Sequence, residues 1–250
     1  MSLHSKIAVV PVNYNTSSYM ELMLRSFFAT HDPQLDCAIT IYDNHSGDEG
    51  LAALKEYAAA KQIPILQSGY GTQPKNNSHG EILRRFVLET PDCTHYLFLD
   101  ADICFLKQAT INTMLAELRA DATAFGIGPR MSWDGIQEIP EDVRQSNPDI
   151  QDARLHPCCA LVNNTPLFRQ VVEEVGLFAV NFLWAERDEY LDTFKLMTRV
   201  MRTHGLTHRI SSAMIVHFFA VSYSWDAEEF RQWKAKQRDQ RLEGLRKIRN

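Results

Sequence analysis

The sequence is poor in the features that mark secreted, membrane-spanning or nucleic-acid-binding proteins. Its 250 residues include five cysteines, an odd number in mostly apolar surroundings, which indicates free thiols in a reducing compartment. No window approaches the roughly 18 apolar residues of a membrane span, and the apolar run at residues 7–12 is too short for a signal peptide. The net charge of −5 excludes binding of nucleic acid by the fold as a whole. We therefore expect a cytoplasmic protein without a nucleic-acid partner.

Familiar zinc and phosphate motifs are also missing. Cys158-Cys159 has no second cysteine pair and no histidine pair at zinc-finger spacing, so a structural zinc site is not predicted. We interpret all five cysteines as small buried hydrophobic residues, and His156-Pro157 as structural. Neither GxGxxG nor GxxxxGK[ST] occurs. If a nucleotide binds, its phosphates therefore need a different partner, such as a divalent cation.

What the sequence does contain is an alternation of strand-like and helix-like segments. Short β-branched runs predict strands, and apolar residues at helical spacing predict helices. This alternation indicates βαβ units in a single α/β domain, with a mostly parallel central sheet flanked by helices. The predicted strands are residues 6–13, 37–43, 63–68, 94–106, 122–128, 158–164 and 212–225. The predicted helices are residues 17–30, 49–62, 78–90, 109–120, 165–176 and 186–205.

The chain becomes less regular after Gly128. Residues 129–157 form a long polar segment, and such loops in compact domains are usually functional or mobile. The end of the sequence, residues 227–250, is rich in Lys and Arg. We interpret it as a solvated terminal helix, in preference to an oligomerisation arm or a membrane-surface helix.

Polar residues follow three of the predicted strands. The first strand ends at Asn13-Tyr14-Asn15, the second at Asp43, and the fourth at Asp100 and Asp102. Because ligands of an open parallel sheet bind beyond the carboxyl ends of its strands, we expect these residues to meet at one edge. Two carboxylates at i and i+2 suit a hard cation such as Mg²⁺ or Mn²⁺. A bound cation would also offset the cost of burying them.

These segments resemble the family 2 glycosyltransferases, which have the GT-A fold. The matching motifs are "NYN" at 13–15, "DNHS" at 43–46, "NNSHG" at 76–80 and "LDAD" at 99–102, and the resemblance covers roughly residues 5 to 225. It implies a metal-dependent enzyme that moves a sugar from a nucleotide-diphosphate donor to an acceptor hydroxyl, with inversion. It also implies a nucleotide-sugar-binding half at residues 1–128 and an acceptor-binding half at 129–226, followed by the basic tail at 227–250.

The resemblance further implies roles for individual residues. Asp43 would accept a hydrogen bond from the nucleotide base, and Asp102 would be the main ligand of Mn²⁺ or Mg²⁺. Asp100 would lie near the ribose or the metal, and His217 would be a further metal ligand, although a lone histidine in an apolar strand is as often part of the core. The remaining nucleotide-sugar contacts would be Asn13, Tyr14, Asn15, Asn77, His79 and Gly80.

A carboxylate in the later half would deprotonate the acceptor. The segment "WAERDEYLDTF" offers Glu186, Asp188, Glu189 and Asp192. In a helix over 186–205, Asp188 and Asp192 would share one face. We rank Asp188 first and Asp192 second. Trp133 and Trp184 are candidates to stack on an acceptor sugar, and equally candidates for the core.

Several alternatives stay open at this stage. A nucleotidyltransferase would also place a metal at the end of a parallel sheet, but "NYNTSS" lacks the glycine and basic residues such enzymes carry there. A GT-A-like binding module without activity is the third reading. The donor is expected to be a UDP- or GDP-sugar. The acceptor is left open among glycans, lipid-linked sugars and small molecules, as are oligomerisation and peripheral membrane contact through the tail.

Overall fold

A computed structural model describes residues 5–70, 78–133, 137–138, 151–183, 188–222 and 227–248. It has the predicted α/β architecture. The described helices are α1 (Ser17–Thr30), α2 (Leu51–Ala60), α3 (Ser78–Glu89), α4 (Thr110–Arg119), α5 (Pro166–Val175), α6 (Lys195–Thr203) and α7 (Glu228–Arg246). The described strands are β1 (Lys6–Asn13), β2 (Asp36–Ile39), β3 (Ile41–Asp43), β4 (Ile65–Gln67), β5 (His95–Asp100), β6 (Ile103–Phe105), β7 (Ala124–Trp133), β8 (Gln137–Glu138), β9 (Cys159–Asn163), β10 (Val180–Leu183), β11 (Asp188–Leu191) and β12 (Thr207–His217).

One large sheet organises the molecule. Its strand order is β4-β3-β1-β5-β9-β7-β12-β6, with β2 paired to β1 and β8 to β7. The strands β4, β3, β1 and β5 are mutually parallel, as the alternating pattern predicted. Strand β9 runs antiparallel to both of its neighbours, and β12 is parallel to β7 and antiparallel to β6. The first half of the sheet is therefore parallel, and the second half is mixed.

The central strands are buried on both faces of this sheet. In β1, Ile7 and Val9 belong to one apolar cluster, whereas Ala8 and Val10 belong to the other. Strand β5 alternates in the same way between its two faces. Because helices cover both faces, these strands read as continuous apolar runs. The polar residues that follow such runs are therefore delivered to the edge of a rigid core.

The predicted strand over 94–106 is in fact two strands. Strand β5 ends at Asp100, and β6 begins at Ile103 after a turn. Strand β6 then leaves β5 and pairs antiparallel with β12. An apolar run alone cannot show this break, because residues on both sides of it are buried. As a result, Asp100 ends β5, whereas Asp102 lies in the turn before β6, and the two are not consecutive outward positions of one strand.

The predicted helix over 186–205 is wrong in its first half. Residues Asp188–Leu191 form β11, which pairs antiparallel with β10, and α6 begins only at Lys195. Tyr190 is 62% exposed and Leu191 1% exposed, the alternation of a half-buried strand. Phe194, just before α6, has a φ of 69°, which a continuous helix does not permit. Asp188 and Asp192 therefore do not share a helix face.

The basic tail forms helix α7 and packs against α1. Most of its residues are exposed, as expected of a solvated helix, but Lys234 and Leu242 are buried. Leu242 joins an apolar cluster with Tyr19 and Phe218, and Arg246 pairs with the buried Glu21 at 2.5 Å. The helix is therefore solvated over most of its surface and packed against α1 on one face. Among the described helices, none has the length and apolar content needed to cross a bilayer.

Helix α3 approaches a neighbouring loop so closely that its Gly80 has no room for a side chain. A Cβ atom added there would overlap the backbone of Phe178. We expect Gly80→Ala to lower the free energy of unfolding by about 1–3 kcal/mol, the usual cost of overpacking, measured by urea denaturation. Gly244 in α7 has open space around it, so Gly244→Ala should stabilise the protein by up to about 1 kcal/mol. Equal stabilities of the two variants would contradict the close approach.

Candidate active site

The strand ends predicted to converge are neighbours in the sheet. Asn13 is paired with Asp43 across β1 and β3, and Val12 is paired with Asp100 across β1 and β5. Three polar strand ends therefore lie side by side at one edge, as the sequence indicated. We call this the carboxyl edge of the sheet. It is where an open α/β sheet binds ligands.

Strand β12 brings a histidine to the same edge. The Nε2 atom of His217 lies 3.2 Å from a carboxylate oxygen of Asp102 and 3.9 Å from one of Asp100. Each of these three residues can offer a ligand atom within 4.8 Å of the others. Two carboxylate oxygens and one imidazole nitrogen form a donor set that suits Mn²⁺. The residues present therefore fit the divalent cation that the sequence motif implied.

The two aspartates differ in their electrostatics. Burial raises the pKa of Asp100, and the adjacent charge of Asp102 raises it further, although His79 and His217 oppose this. Burial also acts to raise the pKa of Asp102, but the interaction and hydrogen bond with His217 outweigh it, so that this pKa is lowered. A carboxylate that is held ionised while it is almost fully buried is well prepared to meet a cation.

Helix α3 directs its first turn at the carboxyl edge. The Nε2 atom of His79 lies 3.6 Å from Asp100. The start of the helix is fastened to the sheet because Asn44 donates a hydrogen bond to the Ser78 hydroxyl at 3.0 Å, and Ser68 donates to Asn44 at 2.6 Å. Together with the close approach of Gly80, these contacts fix His79 beside the aspartates.

Asn13 and Asp43 are tied into a network of their own. The Asn13 amide donates to Asp43 at 2.9 Å and to the Ser17 hydroxyl at 2.9 Å. Asp43 also accepts from the Ser46 backbone N–H and from the Gln67 side chain. Burial acts to raise the pKa of Asp43, but hydrogen bonds with the Ser46 hydroxyl, with Asn13 and Gln67 and with the Ser46 N–H outweigh it and lower the pKa. Asp43 is only 2% exposed, so it anchors these strand ends in addition to any ligand it binds.

The other two residues of the "NYN" motif differ in how firmly their side chains are held by neighbouring residues. Asn15 accepts a hydrogen bond from the Gly47 N–H at 2.9 Å, and its own N–H donates to Ser46 at 3.0 Å. It therefore joins the loop after β1 to the loop after β3. Tyr14, by contrast, is 37% exposed. It follows β1 at this edge and is open to solvent.

The chain turns sharply after His217, and α7 supports this turn. Phe219 and Ala220 both have a φ of 51°, a left-handed conformation that is costly for residues other than glycine. The ring of Phe219 lies against His217, with 3.9 Å between their centroids. The buried Lys234 ammonium donates to the Phe219 carbonyl at 2.8 Å, and its charge contributes to lowering the pKa of Asp102. The terminal helix thus helps to hold His217 in place.

Two of the candidate base residues, Asp192 and Glu189, form ion pairs with arginines. One carboxylate oxygen of Asp192 lies 2.7 Å from Arg154, and the other accepts from the Thr193 N–H at 2.7 Å. Arg154 is buried and is close enough to Asp100 to act on its pKa. Glu189 pairs with Arg199 at 2.7 Å. The backbone of Asp188 belongs to β11, whereas its side chain is outside the described part of the structure.

Some predicted site residues lie outside the described residues altogether. These are Asn77, Trp184 and Glu186. The backbone of Trp133 ends β7, but its side chain is not described either. Their roles remain predictions from the sequence.

Sequence reasoning missed four residues that the fold brings to this edge. His156, interpreted as structural, and Cys158 lie beside His217. Arg154 and Lys234 both act electrostatically on the aspartates. For Arg154, His156 and Cys158 the available signal was a charged or titratable residue inside the long polar segment or directly after it, whereas Lys234 in the terminal helix had no such signal. The pairing of β5 with β9, which brings Cys158 beside Asp100, could not be read from local patterns.

Comparisons with known proteins agree with this architecture. No protein-family model matches the sequence, and no curated protein matches it either. Among solved structures, a mannosyltransferase of Pyrobaculum calidifontis in complex with GDP-Man and Mn²⁺ is 14% identical with a TM-score of 0.60, over 99% of this chain and 66% of that one. This chain therefore spans just under two thirds of that protein's length.

Two further structures have the same fold. Residues 1–349 of S. aureus TarS are 14% identical with a TM-score of 0.55, covering 95% of this chain and 69% of that one. A glucosyl-3-phosphoglycerate synthase of Mycobacterium tuberculosis, in complex with Mn²⁺, UDP-Glc and phosphoglyceric acid, is 13% identical with a TM-score of 0.53, over 98% and 81% of the two chains. At such low identity these likenesses establish the fold, which is the GT-A fold of glycosyltransferases.

Proposed function

We propose that this chain is a metal-dependent glycosyltransferase, which moves a sugar from a nucleotide-diphosphate donor to an acceptor hydroxyl. The observation that carries the proposal is the meeting of Asp100, Asp102 and His217 at the carboxyl edge of a GT-A fold. Of the two similar structures with Mn²⁺ described above, one also contains GDP-Man and the other UDP-Glc. We therefore propose Mn²⁺ or Mg²⁺ as the cation and a UDP- or GDP-sugar as the donor.

The residues of the carboxyl edge divide the work of donor binding. Asp102, Asp100 and His217 would hold the cation, which supplies positive charge to the diphosphate and to the departing nucleoside diphosphate. Asp43 would accept a hydrogen bond from the base, because it lies at the end of β3 beside Asn13. Asn13, Tyr14 and Asn15 would flank the base and ribose. His79 and Gly80, with Asn77, would lie near the diphosphate or the sugar.

The second half of the chain would bind the acceptor and supply the base. Asp188 is the proposed base. It would take the proton of the acceptor hydroxyl as that oxygen attacks the anomeric carbon from the side opposite the leaving group, which inverts the configuration. Asp192, engaged by Arg154 and by the Thr193 N–H, would position this segment relative to the aspartates. A nucleotidyltransferase is less well supported, because the segment "NYNTSS" at the end of β1 has no glycine and no basic residue to hold a triphosphate.

Donor and cation can be identified together by thermal unfolding. The full chain is heated with UDP, GDP, CDP or ADP, each with and without Mn²⁺. We expect one diphosphate to raise the unfolding temperature only when Mn²⁺ is present. A ligand at 100 times its dissociation constant adds about 2.7 kcal/mol of stability. No stabilisation by any diphosphate would contradict the proposal and favour a binding module without transferase activity.

A further inference from the structure

A second set of metal-ligating side chains overlaps the first. His156, Cys158 and His217 can each offer a ligand atom within 4.8 Å of the other two. His217 therefore belongs both to this set, which we call the soft set, and to the set with Asp100 and Asp102. A thiolate and two imidazoles are the ligands that Zn²⁺ prefers, whereas carboxylates suit Mn²⁺ and Mg²⁺. The two sets select different cations.

The fold holds the soft set together at the carboxyl edge. The Cys158 N–H donates to His156 Nδ1 at 3.2 Å, and the rings of His156 and His217 are 5.5 Å apart between centroids. The Asp100 N–H donates to the Cys158 carbonyl at 2.8 Å, which ties the cysteine to the turn that carries the aspartates. The Met131 sulfur lies 3.1 Å from Cys158 Sγ. A further soft donor thus stands next to the thiol.

The three residues of the soft set differ in their exposure to solvent. Cys158 is 1% exposed, and His217 is 4% exposed. His156 is only half-buried. His156 is therefore the most exposed member of the set, and a cation would lose water on binding to the buried thiol. Upon binding, the thiol proton would be released to solvent, because the thiolate is the ligand.

We propose that this chain binds a soft divalent cation of the Zn²⁺ class through His156, Cys158 and His217, and that this cation excludes Mn²⁺ from Asp100 and Asp102. The exclusion follows from two facts. The sets share His217, and the charges of both aspartates act on Cys158, so two dications would lie close together in a poorly solvated edge. Zn²⁺ at the soft set would then act as an inhibitor, because it prevents Mn²⁺ from binding to Asp100 and Asp102.

Co²⁺ is the probe for this site, because it replaces Zn²⁺ and shows thiolate ligation by a charge-transfer absorption. The full chain is freed of metal with a chelator and titrated with Co²⁺. We expect one equivalent to bind with a thiolate charge-transfer band. In a second titration, Mn²⁺ binding is followed by the electron paramagnetic resonance signal of free Mn²⁺, which falls as Mn²⁺ binds. One equivalent of Zn²⁺ should then release the bound Mn²⁺ and restore the signal.

Variants separate the two sets. Cys158→Ser should abolish the charge-transfer band and weaken Co²⁺ binding by about 100-fold or more, since loss of even an outer partner of a metal costs 10–100-fold. Its Mn²⁺ binding should remain, because Asp100, Asp102 and His217 are intact. His156→Ala changes a half-buried residue and should weaken Co²⁺ binding similarly, which keeps the test valid if the serine variant does not fold. Cys159→Ser, equally buried and adjacent, is the control and should keep the band.

Two results would overturn the inference. One is Co²⁺ binding without a thiolate band in the unaltered chain. The other is an unchanged band or an unchanged Co²⁺ affinity in both Cys158→Ser and His156→Ala. These measurements follow the metals alone, so they decide the soft site whether or not the chain is a glycosyltransferase.

Discussion

Asp102→Ala is expected to abolish Mn²⁺-dependent binding of the nucleoside diphosphate and to leave the protein folded. Stabilisation by the cognate diphosphate, about 2.7 kcal/mol at 100 times its dissociation constant, should fall to the value measured without metal. Asp102 is the buried carboxylate closest to His217, and without it the cation would keep only the half-buried Asp100 and one imidazole.

The fold should survive because the Asp102 side chain is not part of the apolar core. Its backbone carbonyl, which accepts from the Phe218 N–H at 2.9 Å, is retained in alanine and continues to fasten β12. Loss of the contact with His217 is a local cost, because the substitution removes no apolar side chain of the core.

The control for this experiment is Asp92→Ala, which removes an exposed aspartate from the loop before β5. It should retain the full metal-dependent stabilisation. Thermal unfolding of all three proteins, with and without Mn²⁺ and diphosphate, makes the measurement. If Asp102→Ala responded to Mn²⁺ and diphosphate as the unaltered chain does, the assignment of the metal site would be wrong.

Asp188→Asn is expected to lower kcat for sugar transfer by about 10²–10⁴-fold, the usual contribution of a general base. The amide keeps the size of the side chain but cannot accept the proton of the acceptor hydroxyl. The KM for the donor should change little, because donor binding is assigned to the carboxyl edge. The measurement is steady-state transfer with the donor identified by thermal unfolding and an acceptor found by screening sugars, glycans and lipid-linked sugars.

Asp192→Asn is the matched comparison. Its carboxylate is paired with Arg154 and accepts from the Thr193 N–H, so its loss should disturb the position of the segment and raise the KM for the acceptor more than it lowers kcat. Mn²⁺-dependent diphosphate binding should be unchanged in both variants. A larger fall in kcat for Asp192→Asn than for Asp188→Asn would transfer the role of base to Asp192.

The carboxyl edge could be predicted because its residues follow continuous apolar strands. A run such as "YLFLD" can only be a buried strand or a buried helix, and its length decides for the strand. Parallel strands then bring their ends to the same side, so the sequence alone predicts that Asn13, Asp43 and Asp100 lie together. In the structure, Asn13 is paired with Asp43 across β1 and β3, as this prediction requires.

The later half could not be predicted to the same depth, because its contacts join distant parts of the chain. His156 reaches His217 only because β9 is antiparallel to β5 and β12 lies on the far side of β7. Lys234 meets Phe219 through the packing of α7 on α1, and nothing in a basic, mostly exposed helix marks that one lysine as buried. The strand at Asp188–Leu191 is short, and its pairing with β10 overrides a local pattern that also suits a helix.

The position of β12 has a consequence for how the protein is made. Strand β12 lies between β7 and β6, and among the described strands β6 pairs with β12 alone. During translation, Asp100 and Asp102 therefore leave the ribosome well before the strand that completes their surroundings, and at roughly 5–20 residues per second this interval is on the order of ten seconds. The nascent chain meanwhile exposes the open edge of β7. We expect this interval to be the period in which the chain depends most on chaperones, and a ribosome stalled before residue 207 should display a protein with both aspartates and no assembled metal site.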